Sequence, residues 1–347
     1  MVKVQKNTVL IVLLLLLYPN SIFMDGLSLI KFPIVDELVD FKNLFDDSLS
    51  SSNPLLTGVI DHLRQRNGKM MRPILVLLVA KLYGDIKPVT LHAAVSLELL
   101  HTASLVHDDV VDESTERRGQ LSVNAIFNNK VAVLTGDYLL ATCLVQAGQT
   151  MNHDIIDVIS KLGQDLSEGE LLQLSNVSNP VFSEKIYFDV IRKKTAALFA
   201  TCTKAAALSV DVDLITAERA RLLGEYIGIC FQIKDDIFDY SDSREIGKPT
   251  GNDMIEGKLT LPAIYALNNT ENEEARGVAV KIKNGTATAG EIAYLIAFTK
   301  SNGGIEYAQE IMSEYKQKAL ELLTQLPDSS VKTSLQAYLD YVVDRHK

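Results

Sequence analysis

An all-α fold follows from three features of this sequence. From about residue 33 onward apolar residues recur every three and four positions, no run alternates apolar and polar residues, and no Asn-Gly or Asp-Gly pair sits between two such runs. Of the 347 residues 47% are hydrophobic and 22% charged, with no Trp, which is enough apolar material for a large packed core.

Helical spacing runs in order through 34–49, 54–66, 72–83 and 89–107, then 122–128, 131–150 and 154–173, and on through 184–209, 216–240, 260–267 and 289–300. The stretches 72–83 and 89–107 are apolar around much of their circumference, which predicts central helices enclosed by the others. The clearest helix lies in "GGIEYAQEIMSEYKQKALELLTQLPDSS". There Ala308, Ile311, Met312, Tyr315, Ala319, Leu322, Leu323 and Leu326 share a face, and Gly303, Gly304 and Pro327 punctuate the ends. Loops are expected at 84–88, 113–121, 174–183, 241–258 and 268–288. No Pro/Gly/Ser-rich linker divides the chain and no fixed-period repeat occurs, so residues 24–347 read as one domain.

The first residues differ. Lys3 and Lys6 precede an unbroken apolar run from Val9 to Tyr18, the order of a secretory signal, but no small-x-small cleavage site follows. The run is shorter than the roughly 20 residues a spanning helix needs. Residues 1–23 are therefore read as an upstream extension or an over-long start, with a membrane anchor as the alternative.

The formal charge of -10 excludes a global positive field that would draw in nucleic acid or anionic lipid. Any bound anion needs a local basic cluster. Three widely spaced cysteines, Cys143, Cys202 and Cys230, form neither a disulfide framework nor CxxC metal spacing, which fits reduced thiols in a cytoplasmic protein.

Chemistry concentrates at "HDDVVDESTERRG". Asp108 and Asp112, four apart, project from one face at the end of the helix 89–107, with Asp109 beside them. Carboxylates there repel one another and the negative helix end, so a cation is called for. Hard oxygen donors in this arrangement suit Mg²⁺, which commonly completes its shell with phosphate oxygens. A lone DDxxD would equally be a solvated helix end. A second copy, Asp235, Asp236 and Asp239 in "FQIKDDIFDY", again ends an apolar helix, and two such ends facing across a bundle make one multi-metal site.

Basic residues accompany both motifs: Arg117 and Arg118 before Gly119, Lys69 and Arg72 in "GKMMRP", Lys193, Lys194 and Thr195 in "IRKKTAAL", and Lys248 and Lys258 in a glycine-punctuated loop. Each alone would be a solvated surface group. Together, Arg forks and Lys point charges form the set that diphosphates require. His101 lies about two turns before Asp108 and can face the same cavity.

In these motifs the chain resembles the trans-isoprenyl diphosphate synthases, or polyprenyl synthetases. "GKMMRP", "ELLHTASLVHDDVVDESTERRG", "GDYLLA", "GELLQL", "KKTAALF", "FQIKDDIFDY" and "GKPTGNDMIEGKLTLP" occur in the family's order, over about residues 24–347. The resemblance implies a single-domain helical bundle of the isoprenoid synthase type with a central cavity, usually homodimeric. Its members condense isopentenyl diphosphate with an allylic diphosphate, using roughly two or three Mg²⁺ ions. By motif position, Lys69, Arg72, His101 and Arg118 would hold isopentenyl diphosphate. Arg117, Lys194, Thr195, Gln232, Lys248 and Lys258 would hold the allylic diphosphate. Asp108, Asp112 and Asp235 would be the main Mg²⁺ ligands, with Asp109, Asp236 and Asp239 in direct or water-mediated support. Asp108, Asp112, Asp235 and Lys194 carry the catalytic assignment.

Ala103 and Ser104, five and four before Asp108, stand where short-chain members carry Phe or Tyr, so an open tunnel and a heptaprenyl to decaprenyl product are expected. Alternatives are a short-chain farnesyl or geranylgeranyl synthase, a terpene cyclase, which ionises a single diphosphate, and a non-catalytic partner subunit.

Overall fold

The computed structural model describes residues 26–65, 68–117, 119–176, 181–240 and 251–345. The N-terminal run 1–23 and the predicted site residues Arg118 and Lys248 lie outside them.

The chain begins with α1 (Gly26–Lys31), a 3-10 turn (Phe32–Ile34), α2 (Val35–Ser48), α3 (Pro54–Arg64), α4 (Met71–Tyr83) and α5 (Pro88–Val111). Next come α6 (Val123–Phe127), α7 (Asn129–Gln149), α8 (His153–Asn176), α9 (Glu184–Ile191), a π-helical turn (Arg192–Ala196), α10 (Ala197–Leu208) and α11 (Leu214–Phe238). The C-terminal part holds α12 (Asn252–Ile255), α13 (Leu261–Asn268), α14 (Glu273–Lys283), α15 (Ala289–Ser301), α16 (Gly304–Thr324) and α17 (Ser330–Asp344). Among the described residues, strand is confined to a two-residue antiparallel hairpin pairing Glu116 with Leu121 and Arg117 with Gln120.

The expected all-round apolar helices are central. In α4 every residue from Pro73 to Ala80 is buried, and α5 buries a stripe from Ala93 to Val106 that includes Leu97, Leu99, Leu100 and Ala103; α10, not singled out from the sequence, is buried along nearly all its length. α10 packs against α4, α5, α8 and α11, and α11 also runs along α16. Polar N-caps set where the helices begin: Asn53 accepts from the backbone N–H of Leu55 at 3.0 Å, and Asp213 from that of Thr216 at 2.9 Å.

Several boundaries differ from the sequence expectation. The stretch 184–209 is two helices joined by the π turn. The expected loop 268–288 contains α14, whose Ala275, Val278, Ala279 and Ile282 face the core after an Asn272 cap. Those residues keep helical spacing, but two of the four are alanines and the helix is heavily charged, so its apolar signal is faint. The segment after Pro327, given no element from the sequence, forms α17, which packs on α1, α4 and α11 and so joins the first and last described helices.

Candidate active site

Asp108 occupies the last turn of α5 and Asp112 is its C-cap, with the Asp112 N–H bonded to the Asp108 carbonyl at 2.8 Å. Asp235 lies in the last turn of α11. The three face one cavity of ≈330 Å³, lined also by Arg72, His101, Ser104, Arg117, Glu170, Lys194, Thr195 and Gln232. Its apolar wall is Leu105, Leu166, Leu198, Phe199 and Phe231. A neighbouring cavity of ≈240 Å³ shares Lys194, Thr195 and Gln232 and adds Asp236, Asp253 and Lys258. The two Asp-rich helix ends thus share one hollow, although they are 127 positions apart (235 minus 108).

Lys194 and Thr195 are placed by the π turn, a feature that recurs at functional sites. Two glycines let that turn nest between helices. A Cβ on Gly169 of α8 would lie 2.9 Å from the Lys194 backbone nitrogen, and one on Gly228 of α11 would lie 2.6 Å from Cα of Ala196. On the other flank, Met70 has left-handed backbone (φ 53°), costing about 1–2 kcal/mol for a non-glycine residue, as it turns the chain between Lys69 and Arg72.

The cavity's cations are paired with carboxylates. Arg72 donates to Glu98 at 3.1 Å, Lys194 pairs with Glu170, and Lys258 reaches Glu256 at 2.5 Å. Lys69, outside the main cavity lining, donates to the Tyr341 hydroxyl. Arg345, one residue past α17, donates to the Asp235 carboxylate at 2.7 Å while its guanidinium lies 4.0 Å from the Phe231 ring centroid. Glu98, Glu170 and Arg345 escaped the sequence reading. Glu170 stands in the quoted "GELLQL" without a spacing cue, and Arg345 is delivered by a helix whose position only packing determines.

Burial raises the Asp108 carboxyl above its ordinary range; Lys194 opposes this, while Glu170 and Asp112 push it further. Carboxylates crowded against one another around a cavity are what a divalent cation relieves, so the donor set fits Mg²⁺. Among the described residues no three His, Cys, Asp or Glu side chains lie close enough to hold an ion unaided.

The flanking aspartates have other partners. Asp109 is fully buried, accepts from Arg117 at 2.5 Å, and lines neither cavity. It holds Arg117, and Asn124 straps the segment by donating to the carbonyls of Asp109 and Ser114. Asp239 accepts the backbone N–H groups of Asn252 at 2.8 Å and Asp253 at 3.1 Å, closing the chain back onto α11 after 241–250. Asp236 is buried between Gln232 and Tyr187, and burial pushes its carboxyl well up. Asp253, a further acidic residue not singled out from the sequence, is raised to about 7, by burial first and then by Asp239. Ser104 lines the cavity; Ala103 is fully enclosed and lines neither cavity.

Residues 53–299 match the family profile described as polyprenyl synthetase. The crystal structure of a geranylgeranyl pyrophosphate synthase from Bacteroides thetaiotaomicron is 65% identical, with a TM-score of 0.83, and the match covers 93% of this chain and 100% of that one. The all-trans-nonaprenyl-diphosphate synthase (geranyl-diphosphate specific) of Rhodobacter capsulatus is 35% identical over 316 residues, 90% of this chain and 96% of that protein. The octaprenyl diphosphate synthase of Haemophilus influenzae is 34% identical over 299 residues, 86% of this chain and 91% of that protein.

Proposed function

The chain belongs to the polyprenyl synthetase family, and on that premise we propose that it is a Mg²⁺-dependent prenyltransferase. It adds isopentenyl diphosphate repeatedly to an allylic diphosphate, making an all-trans heptaprenyl to decaprenyl diphosphate. The observation that carries this reading is the shared hollow: Asp108, Asp112 and Asp235 face it together with Lys194, Arg117, Arg72 and an apolar wall.

Mg²⁺, held by Asp108, Asp112 and Asp235, would supply positive charge to the diphosphate oxygens. Lys194, Arg117 and Lys258 bind and orient the allylic diphosphate, and their charge is worth most where negative charge grows as the allylic C–O bond breaks. Arg72, with Lys69, His101 and Arg118, orients isopentenyl diphosphate so that its double bond meets the allylic cation. The proton then lost passes to the departing diphosphate, so no side-chain base is required. Leu105, Leu166, Leu198, Phe199 and Phe231 keep water from the cation. The acidic partners Glu98 and Glu170 pair with Arg72 and Lys194 at the cavity, and fixing these side chains beforehand lowers the ordering cost when a diphosphate replaces the carboxylates.

The small side chains of Ala103 and Ser104 support a long product, as do the nonaprenyl and octaprenyl names of the relatives. The name of the Bacteroides thetaiotaomicron structure favours a second reading, geranylgeranyl diphosphate. Incubating the purified chain with labelled isopentenyl diphosphate, farnesyl diphosphate and Mg²⁺, then sizing the products, decides between them. No Mg²⁺-dependent diphosphate release would refute both.

A homodimer is part of the proposal. Val133, Leu134, Leu144, Val145 and Met151, on α7 and just after it, are all exposed, Leu134 by 68% and Met151 by 88%. By length and composition α5 and α7 could each cross a membrane, but they pack against each other along their length, and α5 carries the Asp-rich motif. A second copy covering the α7 face is the reading this packing supports, in a cytoplasmic protein whose three cysteines are buried and free.

A further inference from the structure

The second Asp-rich motif is tied to the π turn by a chain of hydrogen bonds with one polarity. The Tyr187 hydroxyl donates to Oδ2 of Asp236 at 2.5 Å, and Nε2 of Gln232 donates to Oδ1 of the same carboxylate at 2.8 Å. Oε1 of Gln232 in turn accepts from the Thr195 hydroxyl at 2.6 Å. Tyr187 is 7% exposed and Asp236 2%, and both border the smaller cavity of ≈240 Å³.

An amide donates through its NH₂ and accepts through its oxygen, so with Nε2 of Gln232 on Asp236 its oxygen is left to accept from Thr195. The hydroxyl hydrogen of Thr195 is then committed to Gln232. Tyr187, on the short helix α9, therefore stands at the far end of a chain whose near end lines the cavity. It does not line the main cavity, and borders the smaller one together with Asp236, Gln232 and Thr195.

We infer that Tyr187 is a positioning residue for the allylic half of the site, acting through Asp236 to orient Gln232 and Thr195. The inference rests on the prenyl-transfer reading above. Without the Tyr187 hydroxyl, Oδ2 of an enclosed carboxylate loses its donor. The carboxylate then rotates toward Gln232, drawing the amide from Thr195 and loosening the spacing between α11 and the π turn. The isopentenyl half, built on α4 and α5 around Arg72 and His101, has no link in this chain and is left as it was.

The test is Tyr187→Phe in the full chain. Isothermal titration with inorganic diphosphate in the presence of Mg²⁺ should show affinity about tenfold weaker than wild type, equivalent to about 1.4 kcal/mol. The KM for farnesyl diphosphate should rise by a similar factor. Isopentenyl diphosphate, titrated without Mg²⁺, and its KM should stay within about twofold. In an Asp236→Asn background, Tyr187→Phe should add nothing further. Equal shifts for both substrates, a lowered kcat with both KM values unchanged, or full additivity with Asp236→Asn would each overturn the inference. So would failure of Tyr187→Phe to fold, since the hydroxyl would then serve the fold and not the site. A wild-type chain that neither binds diphosphate nor turns over would refute prenyl transfer itself, whereas failure of this inference leaves the wild-type constants intact.

Discussion

Gly169→Ala is the sharpest probe of how the bundle places Lys194. The added Cβ would lie 2.9 Å from the Lys194 nitrogen and 3.0 Å from Cβ of Lys193, both on the π turn. Ordinary contact is about 3.5 Å, so α8 and the π turn must separate by about 0.6 Å. The stability effect is small, because an overpacking cost of about 1–3 kcal/mol is offset by about 1 kcal/mol of helix propensity gained on replacing glycine. Catalysis should suffer more. A misplacement of about 1 Å can cost about a hundredfold, so about 0.6 Å at Lys194 corresponds to about tenfold in kcat/KM for the allylic substrate. The assay pairs steady-state kinetics on each diphosphate with calorimetric Tm. A Tm lowered by at most a few degrees alongside a selective allylic defect is expected. Unchanged kinetics would refute the claim that close approach at Gly169 sets the Lys194 position, and so would a defect matched by gross unfolding.

Ser104→Phe should shorten the product to farnesyl or geranylgeranyl length, since Ser104 lines the cavity; Ala103→Phe should do the same, with about 1–3 kcal/mol lost because that site is fully enclosed. An unchanged product ladder on chromatography would show that the tunnel does not pass there. Leu134→Asp combined with Leu144→Asp should convert a dimer to a monomer by light scattering, and a wild-type chain that is monomeric would end that reading. At the start of α15, Glu291 is held down to about 2 by the hydrogen bond from Lys281 and by Thr288. Its folded value lies below the unfolded one, so its contribution is complete above about pH 4.5 and is lost as pH falls toward 2. Glu291→Gln should therefore lower Tm at about pH 7, with the gap narrowing below about pH 4.5; a gap independent of pH would contradict the assignment.

The Asp-rich motifs were legible because helix geometry alone brings residues four apart onto one face, and because each followed an apolar helix whose end was easy to find. Lys69 and Arg72 were legible for a similar reason, flanking a helix start marked by Pro73. The break inside 184–209 was not, since a π turn inserts one residue without changing which residues are apolar. The helix α14 was hidden by its charges. Arg345 and Glu170 were invisible as site residues because nothing in their local sequence says which cavity the adjoining helix borders.

By itself, the sequence determined that the protein is helical, that the helices over 72–83 and 89–107 are central, and that acidic helix ends and Arg and Lys clusters recur along the chain. Those properties come from composition and from a period of 3.6, both local. Only the tertiary structure decided that Asp109 serves Arg117, that Asp239 closes a loop, that Arg345 sits on Asp235, and that Tyr187 reaches Thr195 through Asp236 and Gln232. Each of those is a contact between elements distant in the chain or a choice among partners at a few ångströms. Such choices are made by helix packing, at close approaches such as those of Gly169 and Gly228, and leave no periodic trace in the residues themselves.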